Sequence, residues 1–180
     1  AYPLRGGIAH HTALLSRELG KKHAVQVVTF KRQYPTLLFP GKTQKETGGE
    51  LLRVQSEELL DSVNPFNWIA AGWSIRERSA DLLIFAHSMP FFGPCYGTIA
   101  AIAKWRRKTK TLFLCHNIVP HEARWGDTAL TKYAFRAADY FLIQSQEVER
   151  DLLRVIPRAR YVISPHPVYE LFGEPLPKEE

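Results

Sequence analysis

Short apolar stretches alternate with segments of helical periodicity along most of the chain, and this alternation limits the folds that the sequence can adopt. Residues 24–30, 81–86 and 111–115 are dominated by apolar side chains. Continuous runs of this kind are typical of strands that are buried on both faces of a parallel sheet. Because strands that alternate with helices are joined by right-handed crossovers, the sequence predicts a doubly wound, Rossmann-like α/β fold with helices on both faces of the sheet.

Helical periodicity and capping residues place the remaining elements. Helices are predicted over residues 8–22, 64–78, 92–107, 127–138 and 146–155. Further strands are predicted over residues 51–54, 140–144 and 161–164. Asn64 followed by Pro65 is a strong helix start, since asparagine caps the free amides and proline at the first helical position loses no needed donor. Asp127 is expected to cap the fourth helix in the same way.

Both ends of the sequence differ from those of a complete doubly wound domain. The pair Gly6-Gly7 turns directly into the first helix, so we expect the strand that normally precedes such a turn to be missing. The segment 165–177 is rich in proline. We therefore expect residues 1–168 to form one domain and residues 169–180 to begin a linker.

The size and composition are those of a single globular domain. The chain has 180 residues, of which 45% are hydrophobic and 23% charged. No apolar run approaches the roughly 20 residues of a membrane-spanning helix, and the first residues lack the apolar core of a signal peptide, so a cytoplasmic location is expected. Cys95 and Cys115 form no metal or redox motif, and we expect both to be buried as small hydrophobic side chains.

The net charge of +6 permits anionic partners, and the densest basic cluster lies at residues 104–110. A solvated helix end is the first interpretation of this cluster, because cations suit the negative end of the helix dipole. An anionic membrane surface, with Trp105 at the lipid interface, is the second. Nucleic acid is not expected as a partner, since the charge alone supports it.

Two features lie where the ligands of an open parallel sheet bind, at the carboxyl ends of its strands. Gly6-Gly7 before a helix offers free amides and close backbone approach, which suit an anion or a sugar hydroxyl. His116 directly follows an apolar strand, where a histidine can interact with a hydroxyl or a phosphate. A capping or core histidine is the alternative interpretation of His116. Of His10 and His11, one is expected to face the cleft.

Other catalytic and binding motifs are absent or incomplete. Gly41-Lys42-Thr43 lacks the upstream glycine and strand of a phosphate-binding loop. His116 and His121 lie on a loop without the carboxylate spacing of a metal site, and neither a metal nor a bound cofactor is predicted. Ser145, His116 and Asp127 do not form a hydrolase motif, because no nucleophile elbow surrounds Ser145, which is better interpreted as a helix cap.

Several short motifs occur along the chain in a recognisable order. They are Pro3, Gly6-Gly7-Ile8, His10, Leu14 and Leu19; His23, Val25, Val27, Val28 and Thr29; His116-Asn117; Arg136-Ala137-Ala138-Asp139; and Ser145. In this order and spacing they resemble the N-terminal domain of family 4 glycosyltransferases, retaining enzymes with the two-domain GT-B fold. The chain departs from the family pattern at Ser164-Pro165-His166, where many relatives have Asn-Gly-Val-Asp.

The resemblance implies a sugar-transfer site shared between two domains. The N-terminal domain mostly holds the acceptor, and a C-terminal domain, which we expect to be absent from this chain, mostly holds the nucleotide-sugar donor. Gly6 and Gly7 would face the donor diphosphate and sugar, and His116 would stand beside the transferred sugar. Weaker candidates for acceptor binding are Arg5, Tyr34 and Glu122.

The implied enzyme is of bacterial type and builds cell-surface polysaccharides or glycolipids. It transfers a sugar with retention to a glycan or lipid-linked acceptor without a catalytic metal, in the cytoplasm or on the inner face of the plasma membrane. This chain alone is expected to be inactive. Two alternatives stay open: a non-catalytic Rossmann-like binding module, and a GT-B-fold epimerase that acts on sugar nucleotides.

Overall fold

The computed structural model describes residues 6–35, 54–120 and 124–165. Its helices are α1 (Gly7–Gly20), α2 (Pro65–Glu77), α3 (Gly93–Lys104), α4 (Asp127–Phe135) and α5 (Gln146–Val155). Its strands are β1 (Val27–Arg32), β2 (Ser56–Asp61), β3 (Leu82–His87), β4 (Lys110–Cys115), β5 (Tyr140–Ile143) and β6 (Tyr161–Ile163). A 3₁₀ turn, Pro90–Phe92, leads into α3.

All strand pairs in the described residues are parallel, as the apolar runs predict. β1 pairs with β2, while β3, β4, β5 and β6 follow one another in a second sheet. The carboxyl ends of β3, β4, β5 and β6 therefore lie at one edge. The strand predicted to be missing before Gly6 concerns residues 1–5, which lie outside the described residues.

Helices lie on both faces of the four-stranded sheet. α3, α4 and α5 contribute to one core with the face that presents Phe85, Phe113 and Ile143. Cys115 points into this core, and because side chains alternate along a strand, the next residue, His116, points to the opposite face of the sheet. His11 of α1 contacts the ring of His116, so α1 lies on that opposite face. The predicted Rossmann-like α/β architecture is thereby confirmed.

One hydrophobic core joins the two sheets. Phe30 of β1 packs against Phe92 and Tyr96, with ring centroids 5.3 Å and 6.1 Å apart. Phe85 and Phe113 extend the same cluster across the four-stranded sheet. The shared core indicates that the described residues form a single domain.

The two cysteines are buried, as expected. Cys95 lies on α3 and Cys115 at the end of β4, and both are fully enclosed by the core. Burial raises the pKa of the Cys95 thiol to about 12 and also raises that of Cys115, so both stay protonated near neutral pH.

The predicted start of α2 is confirmed in detail. Asn64 is the cap, and its Oδ1 accepts hydrogen bonds from the backbone amides of Phe66 at 3.0 Å and Asn67 at 3.4 Å. Pro65 occupies the first helical position, where its missing N–H costs nothing. A polar cap and a proline thus fix where the helix begins.

Two local predictions need correction. The strand predicted to end at Val54 is wrong there, since Val54 is not in a strand. The strand in this region is β2, whose charged sequence Ser-Glu-Glu-Leu-Leu-Asp does not have the composition of a buried strand. Pairing with β1 and the ion pair between Arg32 and Asp61, at 2.6 Å, hold it in place. The cap of α4 is Gly126, with a φ of 99°, rather than Asp127, whose carboxylate instead accepts the amide of Arg124 at 2.8 Å.

The prediction that Lys104 is part of a solvated basic cluster needs correction. Its side chain is hydrogen-bonded at the edge of the sheet where the strands begin. Its Nζ donates to Asp139 at 2.7 Å and to the carbonyl of Ala137 at 2.8 Å. The amide of Thr111 donates to the same carboxylate at 2.8 Å. Burial opposes ionisation of Asp139, but the hydrogen bonds from Lys104 and Thr111 prevail and lower its pKa. The contact ties α3 to the start of β5.

Candidate functional site

The turn before α1 has a conformation that requires glycine. Gly6 caps the helix with a φ of 118° and a ψ of 168°, a region that other residues rarely adopt. Its carbonyl accepts hydrogen bonds from the amides of Ala9 at 3.0 Å and His10 at 3.2 Å. Among the described residues, no atom lies within 4 Å of where a Cβ would sit on Gly6 or Gly7. Gly6, Gly7 and Ile8 are exposed among the described residues, so this first turn, at the positive end of the helix dipole, lies at the surface.

α1 connects this glycine turn to the end of β4. His11 is buried, and its ring lies 5.1 Å from that of His116 and perpendicular to it. Because four residues of an α-helix rise by about 6 Å, Gly7 lies about one turn from this contact. The structure thus brings Gly6, Gly7 and His116 to the same edge of the sheet, and it shows that His11 is the histidine of α1 that meets His116.

The hydrogen bond of His116 determines which ring nitrogen carries the proton. His116 Nδ1 lies 3.0 Å from Oε1 of Gln144, the residue that follows β5. An amide oxygen only accepts, so Nδ1 is the donor in this pair. The backbone amide of His116 also donates to the carbonyl of His87 at 2.9 Å. The ring of His116 is therefore held from the end of β5 and its backbone from the end of β3.

A cleft of about 360 Å³ opens beside His116. Its lining residues are His116, Asn117, Val119, Pro120, Ser145, Glu147, Val148 and Asp151. Ser145 caps α5, because its hydroxyl accepts the amide of Val148 at 3.3 Å. Glu147 and Asp151 add carboxylates, which accept hydrogen bonds from hydroxyl groups. The cleft is thus polar and of a size that suits a sugar unit.

A third histidine lies behind His116. His87 ends β3, is fully buried, and packs against Phe135 with ring centroids 5.0 Å apart. Among the described residues neither of its ring nitrogens has a hydrogen-bond partner. Desolvation, with a smaller effect from charge on His116, lowers the pKa of His87 to about 4. His87 is therefore neutral near pH 7.

The weaker acceptor-side candidates are placed only in part. Tyr34 follows β1 at the cleft edge of the fold, but its ring packs against Phe91 and Phe92 and its hydroxyl lies 3.6 Å from the sulfur of Met89. Burial raises the pKa of its hydroxyl. Arg5 and Glu122 lie outside the described residues, so their assignment stays a prediction.

The hydrolase arrangement considered from sequence does not form. His116 pairs with Gln144, while Asp127 accepts the amide of Arg124 and Ser145 serves as a helix cap. Within residues 6–35, 54–120 and 124–165, no three histidine, cysteine, aspartate or glutamate side chains are grouped as metal ligands would be.

A glycine turn at a helix start, a strand-end histidine and a capping serine thus meet around one edge of a parallel sheet. The sequence model of Glycosyltransferase Family 4 matches residues 5–169 of the chain. The chain belongs to glycosyltransferase family 4. It is the N-terminal, Rossmann-like domain of such an enzyme, and its general substrates are a sugar donor and an acceptor. No curated protein and no solved structure matches the chain.

Sequence reasoning did not assign a role to two residues that contact His116. Gln144 was assigned to the end of a strand, and the signal for its role was its position one residue before the capping Ser145. His87 directly follows the apolar run 81–86, and only its place at the end of β3 marked it. Both became visible once the strand register aligned the ends of β3, β4 and β5.

Proposed function

We propose that this domain forms the acceptor side of a cleft in which a sugar passes from a nucleotide-sugar donor to a glycan or lipid-linked acceptor, with retention at the anomeric carbon. The observation that carries the proposal is the contact of His11 and His116 beside the Gly6-Gly7 turn. It joins the start of a helix, where the dipole is positive, to an imidazole whose Nδ1 is hydrogen-bonded to Gln144. Membership of glycosyltransferase family 4 supports the reaction class.

His116 is assigned to the reacting sugar. His116 lines the cleft and its Nδ1 is held by Gln144, so its side chain can contact the sugar and thereby orient it. Transfer breaks the bond between the anomeric carbon and the phosphate oxygen and forms a bond to the acceptor oxygen, whose proton passes to the departing diphosphate. Positioning of this kind raises the rate because it removes the entropy cost of bringing the reactants together.

The glycine turn is assigned to the departing diphosphate. Negative charge grows on the phosphate oxygen as the glycosidic bond breaks, and the free amides at the start of α1 lie at a positive helix end. Preorganised donors aimed at developing charge are among the largest contributions to catalysis. Gly6 is required there by its backbone conformation, and Gly7 leaves room for the phosphate.

We propose that residues 1–168 act together with a second, nucleotide-binding domain, and that the 180-residue chain is inactive alone. Family membership supports this division of labour. Arg5, Tyr34 and Glu122 remain proposed acceptor contacts. The test compares the rate of sugar transfer by the 180-residue chain alone with the rate of the full-length gene product. Equal rates for the two would contradict the proposal.

Product analysis separates sugar transfer from the alternatives. The complete protein is incubated with a panel of nucleotide sugars and with glycan and lipid-linked acceptors, and the products are identified by mass spectrometry and NMR. The proposal expects a glycoside with the donor's anomeric configuration. An epimerised nucleotide sugar would instead identify an epimerase, and a glycoside of inverted configuration would refute retention. Binding without any product would favour a non-catalytic module.

The cellular setting is also a proposal. A cell-surface glycan or glycolipid pathway of bacterial type would place the domain in the cytoplasm, where nucleotide sugars are used. No helix within the described parts of the chain is long and apolar enough to cross a membrane. Cell fractionation tests the location: the protein is expected in the cytosolic and inner-membrane fractions, and recovery from the culture medium would contradict it.

A further inference from the structure

Helix α2 carries apolar side chains on both of its faces. Its exposed positions are Pro65, Phe66, Ile69, Ala70, Trp73 and Glu77. Phe66 is 83% exposed, and Ile69 and Trp73 are 46% and 39% exposed. These side chains follow the spacing of one helical face. A surface helix normally presents polar residues there, so this face requires an explanation.

The opposite face of α2 is packed against α3 and the core, so the helix cannot rotate to bury the exposed face. A Cβ on Gly72 would lie 2.9 Å from the Cβ of Ile102, which shows how closely α2 and α3 approach each other. Ala71 is buried in the core, and Trp68 donates its indole N–H to the carbonyl of Asp61 at 2.7 Å. The apolar stripe therefore stays on the outside of the domain.

A pair of tryptophans extends the stripe to the end of α3. The rings of Trp73 and Trp105 meet edge to face, with centroids 5.6 Å apart. The Cζ of Arg76 lies 5.1 Å from the Trp73 ring centroid and 5.8 Å from that of Trp105, and its Nε donates to the Trp105 carbonyl at 3.1 Å. These contacts hold Trp105, which is 52% exposed, in a fixed orientation.

Exposed cations border this tryptophan pair. Arg106, Arg107 and Lys108 follow Trp105 directly, and all three are exposed. Arg106 adopts the left-handed backbone region with a φ of 54°, and its guanidinium lies 5.2 Å from the Trp105 ring centroid. No ion pair within the described residues involves these three cations. The exposed positions of α2 contribute one carboxylate, Glu77.

We propose that this surface docks on an anionic lipid bilayer. The docking face consists of Phe66, Ile69, Trp73, Trp105 and the cations at 106–108. Apolar side chains of an interfacial helix enter the boundary between headgroups and acyl chains, and tryptophan prefers that depth. Lysine and arginine at the same level meet the negative headgroups. The combination of an apolar stripe with a basic end is complementary in charge to such a membrane.

The orientation of α2 connects docking to the cleft. α2 follows the carboxyl end of β2, so Phe66 lies toward the cleft edge of the fold, while Trp105 lies toward the opposite edge. The 13 residues of α2 span about 20 Å. A bilayer along this face would pass the edge that holds His116. Docking stands without the sugar-transfer proposal, whereas access to a lipid-linked acceptor rests on it.

Vesicle sedimentation of the purified chain tests the proposal. We expect binding to vesicles of phosphatidylcholine with phosphatidylserine, weak binding to phosphatidylcholine alone, and a marked loss of binding at high salt. The variant R106Q/R107Q/K108Q is expected to lose about fivefold in affinity for each charge removed. The variant F66S/I69T is expected to lose about tenfold, because two apolar side chains no longer enter the interface.

Matched variants on other parts of the surface serve as controls. R150Q/R158Q/R160Q removes three exposed charges near α5 and β6, and W125S/V162T makes two equivalent apolar-to-polar changes. Both are expected to bind like the parent chain. Circular dichroism and thermal unfolding verify that every variant folds.

Several outcomes would overturn the proposal. They are equal binding to neutral and anionic vesicles, no binding to either, and equal losses in the control variants. A dimer in sedimentation analysis that F66S/I69T dissociates would show instead that a second copy of the chain covers the face. Because no step requires a nucleotide sugar, failure here leaves the sugar-transfer proposal unaffected.

Discussion

Replacing His87 with leucine should remove a specific loss of stability in mild acid. The side chain is fully buried between β3, β4 and α4, with its ring 5.0 Å from Phe135 and 6.4 Å from Phe113. Burial lowers its pKa from 6.5 to about 4, and charge on His116 adds to the effect. The unfolded chain therefore binds a proton between these values while the folded chain does not. Stability contributed by neutral His87 is present above pH 6.5 and is lost as the pH falls toward 4.

The size of the effect follows from the width of this window. One pH unit within it changes the free energy of unfolding by about 1.4 kcal/mol for a single proton. Between pH 6.5, the pKa of the unfolded side chain, and about pH 5, the loss attributable to His87 is about 2 kcal/mol. Leucine has a similar volume and no polar atoms, so it cannot contribute this loss. At neutral pH the substitution should be close to neutral or stabilising, because it removes two buried nitrogens without partners.

Urea unfolding followed by tryptophan fluorescence measures the effect at neutral and mildly acidic pH. The parent chain and His23→Leu, a control at an exposed histidine, should both show the full loss of stability. His87→Leu should show a loss that is about 2 kcal/mol smaller. If His87→Leu loses as much stability as the parent, His87 is not the buried group that titrates, and the reasoning is wrong.

Two further substitutions test the packing and the polar contacts of the fold. Gly72→Ala should destabilise the fold by about 1–3 kcal/mol, because its Cβ would collide with Ile102. The control Gly20→Ala, at a helical position with no atom within 4 Å of the new Cβ, should be neutral or slightly stabilising. Thermal unfolding that ranks the two variants in the opposite order would contradict the α2–α3 contact. Asp139→Ala should cost about 1–3 kcal/mol, since it leaves Lys104 without its carboxylate partner, and chemical denaturation that shows no loss would refute the role assigned to that contact.

Most elements could be predicted because local signals agree with the tertiary structure. The Asn64-Pro65 start fixes α2, and the apolar runs at β3 and β4 match strands buried in a parallel sheet. β2 could not be found this way, because Ser-Glu-Glu-Leu-Leu-Asp has the composition of a solvated segment and becomes a strand through its pairing with β1. In this strand, tertiary pairing outweighs intrinsic propensity.

The candidate site was predictable as a location but not as a set of contacts. The rule that ligands bind at strand ends selected Gly6, Gly7 and His116. The partner of His116 depends on strand register: Cys115 lies opposite Ile143, and this alignment places Gln144 beside His116. Register is a long-range property that no local pattern encodes.

The docking face required knowledge of which side of α2 is packed. The sequence shows apolar residues all around the helix, which is equally typical of a fully buried helix. Only the approach of Gly72 to Ile102 shows that the side with Phe66 faces outward. The basic segment after α3 was visible from the sequence, but the inward turn of Lys104 toward Asp139 was not.

The most direct test of the account is the kcat of sugar transfer by the complete protein carrying His116→Ala. Gln144 and His11 contact the imidazole of His116, and the proposed function places this imidazole at the reacting sugar, so we predict a loss of about 10²–10³-fold in kcat with an unchanged unfolding midpoint. His23→Ala, at an exposed position away from the cleft, should retain the parent rate. Transfer at the parent rate by the His116→Ala protein would contradict the assignment of this edge of the sheet as the site of sugar transfer.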